Sequence, residues 1–509
     1  MKKQKQKLIP ELVLSLQDGY TANRLLKDCI AGIIVGIIAL PLSIALAIAS
    51  GAGPAVGLIT AIFAGGVAAV LGGSKTQVSG PTGAFVVIVF GIIAKNGMSG
   101  LVMATFMAGI FIIIMGLLRL GKLIKYIPLP IITGFTAGIA VTIFIGQIND
   151  FLGLGLKDMP SENLHKLVYT LSHIAHLSWI TVAMGVFAVA IIALVPKIQK
   201  ILPGPLVAII VCTVINLFLP TKCVTLGDIF GTVNINISFS FGFFDFSQLP
   251  SLIVPAVTIA FLAAVESLLS AVVADGMTHS KHNPNMELIG QGVANIASSL
   301  FGGLPATGAI ARTSANIRSG GRTPVAAVVH SVVILLLSLF LMPYAKYIPM
   351  TVFAAILIVV CYNMLNVEEI KKVLKTTPVD IGLMALTFAL TVAFDLVVAI
   401  LVCTSLSLGY QLFKRYVKKH TAEKEIIDGT TKLKGSISYM NYDKLFDTAS
   451  SAELVLDMTD VVEIDATFTD FLISKAKKKQ VRIHNANDKI HKQLARHPEI
   501  SMLLNQRSS

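Results

Sequence analysis

The sequence predicts a polytopic α-helical membrane protein with a small cytoplasmic α/β domain behind it. Three observations lead there. Hydrophobic residues make up 54% of the 509 and charged residues only 14%, against about 25% charged in soluble domains. Apolar runs begin near Ile30 and recur until Leu412, broken by short loops. From about Ala422 the chain takes on the character of a water-soluble domain. The charge balance agrees: 41 Lys and Arg stand against 28 acids, and residues 421–509 hold 13 of each, so the whole basic excess lies on the apolar part. Basic residues between apolar runs are what the positive-inside rule produces. Nucleic-acid binding would need them gathered with aromatics on one face, and intrinsic disorder would need far less apolar surface.

The N-terminal segment, residues 1–24, is lysine-rich and polar, and its basic start is followed by no apolar stretch of the signal-peptide kind. Residues 25–415 read as about 14 membrane segments, several too short to cross a ~30 Å hydrocarbon core as continuous helices. The clear spans are Gly100–Leu118, Ile131–Ile148, Trp179–Val195, Pro205–Leu219, Pro250–Ala274, Val325–Met342, Met350–Tyr362, Ile381–Phe394 and Leu396–Leu412. With the N-terminus inside, the cytoplasmic loops carry Arg119, Lys122, Lys125, Lys197, Lys200, Arg318, Arg322, Lys371, Lys372, Lys375 and Lys414 to Lys419. Only Lys95, Lys157, Lys166, Lys222 and Lys346 fall outside. Both termini are therefore expected in the cytoplasm, with an even number of crossings.

A repeat lies inside the apolar part. Ala61–Gly73 ends in a Gly pair and is followed by Gly80-Pro81-Thr82-Gly83-Ala84; Gly292–Gly303 ends in a Gly pair and is followed by Leu304-Pro305-Ala306-Thr307-Gly308-Ala309. On the topology above the two halves run in opposite directions. Pro- and Gly-interrupted segments at matching places of inverted halves point to a transporter's binding site. After the membrane part, residues 416–430 read as a linker and 431–509 as the α/β domain. Strands are expected at Ile437–Met440, Glu453–Met458 and Val481–His484, and helices at Thr467–Lys479 and Asp488–Arg496.

Proline breaks each interrupted segment and frees backbone groups that membrane protein tolerates only around a cavity or in packed protein. If a half-helix starts after each proline, its first amides lack acceptors and carry partial positive charge, so two of them together suit an anion. Thr82 and Thr307 add hydroxyls; the alternative is a kink absorbed by packing. Arg312 follows the second interruption and either adds positive charge to this site or snorkels at a helix end. Glu266 lies in an otherwise uncharged span, with Ser270 one turn on along the same face. A carboxylate alone suits a proton, a carboxylate with a hydroxyl suits sodium, and a structural Glu266–Arg312 pair is the third reading. Asp395 reads as an interfacial turn residue and His330 as a packed histidine. The five cysteines, Cys29, Cys212, Cys223, Cys361 and Cys403, have neither metal nor redox spacing. No catalytic constellation and no cofactor motif is present in the sequence, so no enzyme is expected.

These residues resemble the SulP (sulfate permease) anion transporters. The likeness covers roughly residues 28–415: Asp28-Cys29-Ile30-Ala31-Gly32 through Ala39-Leu40-Pro41, then Gly72-Gly73 with Gly80-Pro81-Thr82, then Glu287-Leu288-Ile289-Gly290-Gln291-Gly292 with Asn295, Phe301-Gly302-Gly303 and Ser319-Gly320-Gly321-Arg322-Thr323. The resemblance implies a seven-plus-seven inverted repeat with core and gate domains, working by elevator-type secondary transport of sulfate, bicarbonate or a dicarboxylate. It places the anion among Thr82, Gly83, Ala84, Phe85, Gly308, Ala309, Ile310, Ala311 and Arg312, with first-segment contacts at Leu42 and Leu46. It puts the coupling ion at Glu266 and Ser270. Sodium-dependent bicarbonate transporters of the family carry Asp at the acidic position, Thr at the hydroxyl position and no arginine matching Arg312, so this chain leans towards protons. A sodium-coupled importer, an anion exchanger, a nucleobase permease of the same fold and a non-transporting membrane anchor are the alternatives. The tail, Asp457 through Ile464-Asp465-Ala466-Thr467, resembles a STAS domain. Thr467 stands where some relatives carry a phosphorylated serine, but Phe468 replaces the usual glycine, so a docking or dimer-supporting role is expected. The resemblance further implies a homodimer in a bacterial inner membrane, with a cytoplasmic regulator as a possible partner of the tail.

Overall fold

The computed structural model describes residues 8–121, 128–156, 159–160, 162–199, 202–219, 221–233, 235, 239, 246–278, 280–393, 396–416, 422–427, 430–446, 454–477 and 480–504. Asp395 and the loop residues Lys122, Lys125, Lys157 and Lys200 lie outside these. The chain divides into two compact units: residues 1–124 with 140–362, and residues 125–139 with 363–509.

The first unit starts with a short helix, α1 (Glu11–Gln17), followed by α2 (Ala22–Ala49) and α3 (Pro54–Leu71). The chain then leaves helical geometry through a two-residue strand, β1 (Ser79–Gly80), and a 3-10 turn, Gly83–Phe85, before α4 (Val86–Leu117). Gly97, at φ 67°, splits α4 into two of the expected segments. There follow α5 (Leu129–Leu152), shared between the units, then α6 (Asn163–Ser172), α7 (Trp179–Ile198), α8 (Gly204–Phe218), α9 (Leu226–Phe230), α10 (Leu249–Thr278) and α11 (Pro284–Leu300). The second interruption holds β2 (Thr307–Gly308), and α12 (Ile310–Arg318), α13 (Val325–Ala345) and α14 (Met350–Met364) complete the unit. Among the described residues eight helices are long and apolar enough to cross a membrane, making this a multi-pass membrane protein. Small residues let these helices approach closely, since lipid supplies no hydrophobic drive between them. A Cβ at Gly109 of α4 would sit about 2.7 Å from both Gly292 O and Ile296 Cγ1 of α11, and one at Gly36 of α2 would sit 2.8 Å from Val333 Cγ1 of α13.

The second unit takes the start of α5, then α15 (Val367–Val373), α16 (Pro378–Ala393) and α17 (Leu396–Tyr416). It continues into a four-stranded sheet of β3 (Glu423–Ile427), β4 (Thr430–Ile437), β5 (Leu454–Ile464) and β6 (Val481–Ala486), with α18 (Tyr442–Leu445), α19 (Ala466–Lys477), α20 (Asp488–Leu494) and α21 (Pro498–Leu504) around it. The order is β3-β4-β5-β6, with β3 antiparallel to β4 and the other neighbours parallel. Leu433, Leu456, Met458, Ile464, Phe468 and Leu472 make up much of its buried core.

Two expectations for this part change. The sheet begins earlier: β3 lies inside the stretch expected to be a linker, where its polar residues pair with β4 through backbone hydrogen bonds that hydropathy does not report. The expected strand Ile437–Met440 ends at Ile437, because Ser438 and Asn441 close a turn, with the Ser438 amide donating to Asn441 Oδ1 at 2.8 Å and the Tyr439 amide to Asp465 Oδ2 at 2.7 Å.

Candidate functional site

The two interrupted stretches lie side by side in the first unit. β1 and β2 pair antiparallel, Ser79 opposite Gly308 and Gly80 opposite Thr307, and the Ala309 amide donates to Val78 O at 3.0 Å. Two glycines make this pairing possible. A Cβ at Gly80 would overlap Arg312 Nη1, and one at Gly308 would overlap Gln77 Nε2. Helical geometry then restarts at Gly83 after the first strand and at Ile310 after the second. Residues 83–84 and 310–312 therefore present first-turn amides, the groups for which a helix has no internal acceptor, while the Phe85 amide closes the turn on Thr82 O at 3.3 Å.

Arg312 stands between the stretches and is 1% exposed. Its Nη2 donates to Pro81 O at 2.9 Å and to Ser43 Oγ at 3.4 Å. Its Nε and Nη1 are buried without a hydrogen-bond partner. A guanidinium so enclosed does not snorkel, so that reading is set aside. Glu266, half-buried on α10, accepts from Thr82 Oγ1 at 2.8 Å. Among the described residues it makes no ion pair with Arg312, so the two charged groups engage different parts of the first stretch. Ser270, fully buried, donates to Thr313 Oγ1 at 3.2 Å, and Thr313 Oγ1 in turn accepts the Val78 amide at 3.1 Å.

The other candidates are distributed as follows. Gly83, Ala84 and Phe85 are buried, Gly308 is buried, Ala309 is half-buried, and Ile310 and Ala311 are exposed. Leu42 is half-buried and Leu46 buried, but it is Ser43 between them that meets Arg312. Sequence reasoning passed over Ser43; a lone hydroxyl beside Pro41 in an apolar helix was the available signal. His330 is fully buried on α13. In the second unit the Leu129 amide donates to Thr467 Oγ1 at 3.1 Å, and the Ala466 amide donates to Asp380 Oδ2 at 3.1 Å. Among the described residues no group of three or more His, Cys, Asp and Glu is placed to hold a metal.

Chemically, a buried guanidinium with spare donors beside two helix N-termini favours a small anion. Glu266 is joined to the first stretch through the Thr82 hydroxyl, and a carboxyl group is one that can take up or release a proton.

Comparison with known proteins agrees with this chemistry. Residues 25–387 match the sulfate permease family. The putative sulfate transporter YvdB of Bacillus subtilis (strain 168) is 43% identical over 79% of this chain and 76% of its own. The bicarbonate transporter BicA of Picosynechococcus sp. is 34% identical over 73% of this chain and 68% of its own. The transmembrane domain of a cyanobacterial BicA superposes with a TM-score of 0.67 at 32% identity, covering 75% of this chain and 98% of that one. The murine Slc26a9 anion transporter in its inward-facing state shares the fold, with a TM-score of 0.73 at 15% identity over 100% of this chain and 94% of that one.

Proposed function

The chain belongs to the sulfate permease family, whose members are anion transporters rather than enzymes, and from that premise we propose that it moves sulfate or bicarbonate, with dicarboxylates as the next class, by an elevator-type mechanism coupled to protons through Glu266. The relatives named as sulfate and bicarbonate transporters support the substrate class. The observation that carries the site is Arg312: a fully enclosed cation with two unpartnered nitrogens, tied to the proline of the first interruption. An anion held by Arg312 and by the first amides at Gly83, Ala84, Ile310 and Ala311 needs no charged side chain beyond the one present.

Glu266 supplies the coupling. Its contact with Thr82 puts a negative charge next to the anion's place, so adding a proton there removes a repulsion. Anion and proton binding then favour each other reciprocally, which symport requires. Sodium coupling is the alternative, since Ser270, which donates its hydrogen to Thr313 Oγ1, keeps oxygen lone pairs that a cation could use; uptake under separate ion gradients distinguishes the two. The reading extends to a homodimer in a bacterial inner membrane, both termini cytoplasmic, with the STAS-like domain as a dimer support and a docking place for a cytoplasmic regulator.

The test is uptake of labelled sulfate, bicarbonate, succinate and uracil into proteoliposomes, under a proton gradient alone and then a sodium gradient alone. Accumulation of an anion under the proton gradient is the expected result. Accumulation only under the sodium gradient would replace the proton with sodium at Glu266, and no uptake under either gradient would end the coupled-transport reading.

A further inference from the structure

Glu287, on the first turn of α11, is 2% exposed and has no role in the transport cycle described so far. Its carboxylate accepts four hydrogen bonds, all from neutral donors. Oε2 takes the Gly73 amide at 2.9 Å. Oε1 takes Gln77 Nε2 at 2.7 Å, Gln291 Nε2 at 3.0 Å and Ser267 Oγ at 3.1 Å. Two of these tethers branch further: Gln77 Nε2 also donates to Ser267 Oγ at 2.7 Å, and Gln291 Nε2 also reaches Ser79 Oγ.

The donors come from places that matter to the anion site. Gly73 and Gln77 belong to the stretch between α3 and β1, which has no helical hydrogen bonds of its own to hold it. Ser79 opens β1, and β1 leads directly to Pro81, the acceptor for Arg312, and to Thr82, the donor to Glu266. Ser267 follows Glu266 along α10. One buried carboxylate therefore ties down the non-helical limb 73–79 and the turn of α10 that carries the coupling residue. Every acceptor position used on the Glu287 carboxylate is filled, although Gln77 Oε1 and Gln291 Oε1 themselves are buried without partners; breaking a link to the carboxylate would leave further buried groups unpaired, at high cost.

We infer that Glu287 is a positioning residue of the anion site: without touching the anion, it sets anion affinity by holding residues 73–80 in register with β2 and with Glu266. The inference rests on the proposed anion site.

Glu287→Gln keeps the shape of the side chain but turns one acceptor oxygen into a donor, which faces either the three donors on Oε1 or the Gly73 amide. The expected result in proteoliposomes is a rise in KM for the transported anion of about tenfold or more, the loss of one hydrogen bond to a charged group, with kcat much less affected, alongside some fall in melting temperature from the unpaired groups. Adding Gln77→Glu returns a carboxylate to the cluster with an amide opposite it, and should bring KM back to within about threefold. A purely structural role would lower stability without a KM-against-kcat split and without this rescue. A KM for Glu287→Gln within about twofold of the parent overturns the inference. Should that variant fail to fold, Gln291→Met removes the tether to Ser79 and leaves the carboxylate three donors; an unchanged KM there overturns it equally. Hydrogen exchange at residues 73–82 gives a reading independent of transport, and should rise in either variant. If the parent moves no anion, the transport reading fails, while unchanged exchange in the variants defeats the positioning role separately.

Discussion

Arg312→Met tests the centre of the site with the least disturbance elsewhere. Methionine keeps most of the apolar stem and removes the guanidinium. Two guanidinium nitrogens, Nε and Nη1, are unpartnered and so free to meet an anion, while Nη2 is occupied by Pro81 O and Ser43 Oγ. A hydrogen bond to a charged group contributes about 1.5–3 kcal/mol, so losing even one such contact should raise the anion's KM by about 10- to 150-fold. Stability responds differently. The Pro81 carbonyl loses a donor, costing about 1–3 kcal/mol, but a buried charge with incomplete partners is also removed, and the desolvation it no longer suffers offsets that cost. The expected signature is a strongly raised KM with little change in melting temperature. Arg312→Lys should fall between, since it keeps the charge and loses the planar fork. Purified parent and variants would be compared for initial uptake rates over a range of anion concentration and for thermal unfolding in detergent. An Arg312→Met protein with the parent's KM would refute the reasoning and leave Arg312 as a structural brace between α12 and the first stretch.

Three further outcomes are expected. Glu266→Gln imitates the protonated carboxyl, so it should keep anion binding and exchange yet lose uphill accumulation driven by an inward proton gradient; accumulation equal to the parent's would remove Glu266 as the coupling site. Gly80→Ala places a methyl where Arg312 Nη1 sits and should cut uptake at least about tenfold, whereas the same change at Gly146, around which a Cβ meets nothing within 4 Å, should leave uptake within about twofold. In the STAS-like domain, burial pushes the His497 imidazole below its ordinary value, and the charge of Lys375 adds to the effect. The unfolded chain therefore takes up this proton first as pH falls: the stability His497 contributes is fully present above the unfolded pKa of about 6.5 and is lost on acidification towards the lower folded value. Hydrogen exchange in residues 488–504, corrected for intrinsic rates, should rise between about pH 7.5 and about pH 5.5 (about one unit either side of that unfolded value) in the parent and stay flatter in His497→Gln.

The class of protein, most of its spans and the position of its interrupted segments were legible in the sequence alone. Hydropathy is a local property, and a stretch such as Trp179–Val195 has one low-energy solution in a bilayer, so α7 extends that expected span by only three residues, to Ile198. Proline and paired glycine mark breaks just as locally, which is why Pro81 and Pro305 pointed at both interrupted stretches before any contact was known. Who meets whom was decided by the tertiary structure. Glu266 and Arg312 looked like natural partners from charge alone, yet Thr82 reaches Glu266 across 184 positions and Ser43 reaches Arg312 across 269. Which helix faces which, and at what height, depends on packing among small residues such as Gly36 and Gly109, and no periodicity encodes it. The same holds for Glu287, which in the sequence is one letter of a motif at a helix start. Its meaning comes from four donors at positions 73, 77, 267 and 291, brought to one carboxylate only because the chain between them is folded, and because a buried acceptor must find its donors wherever the fold delivers them.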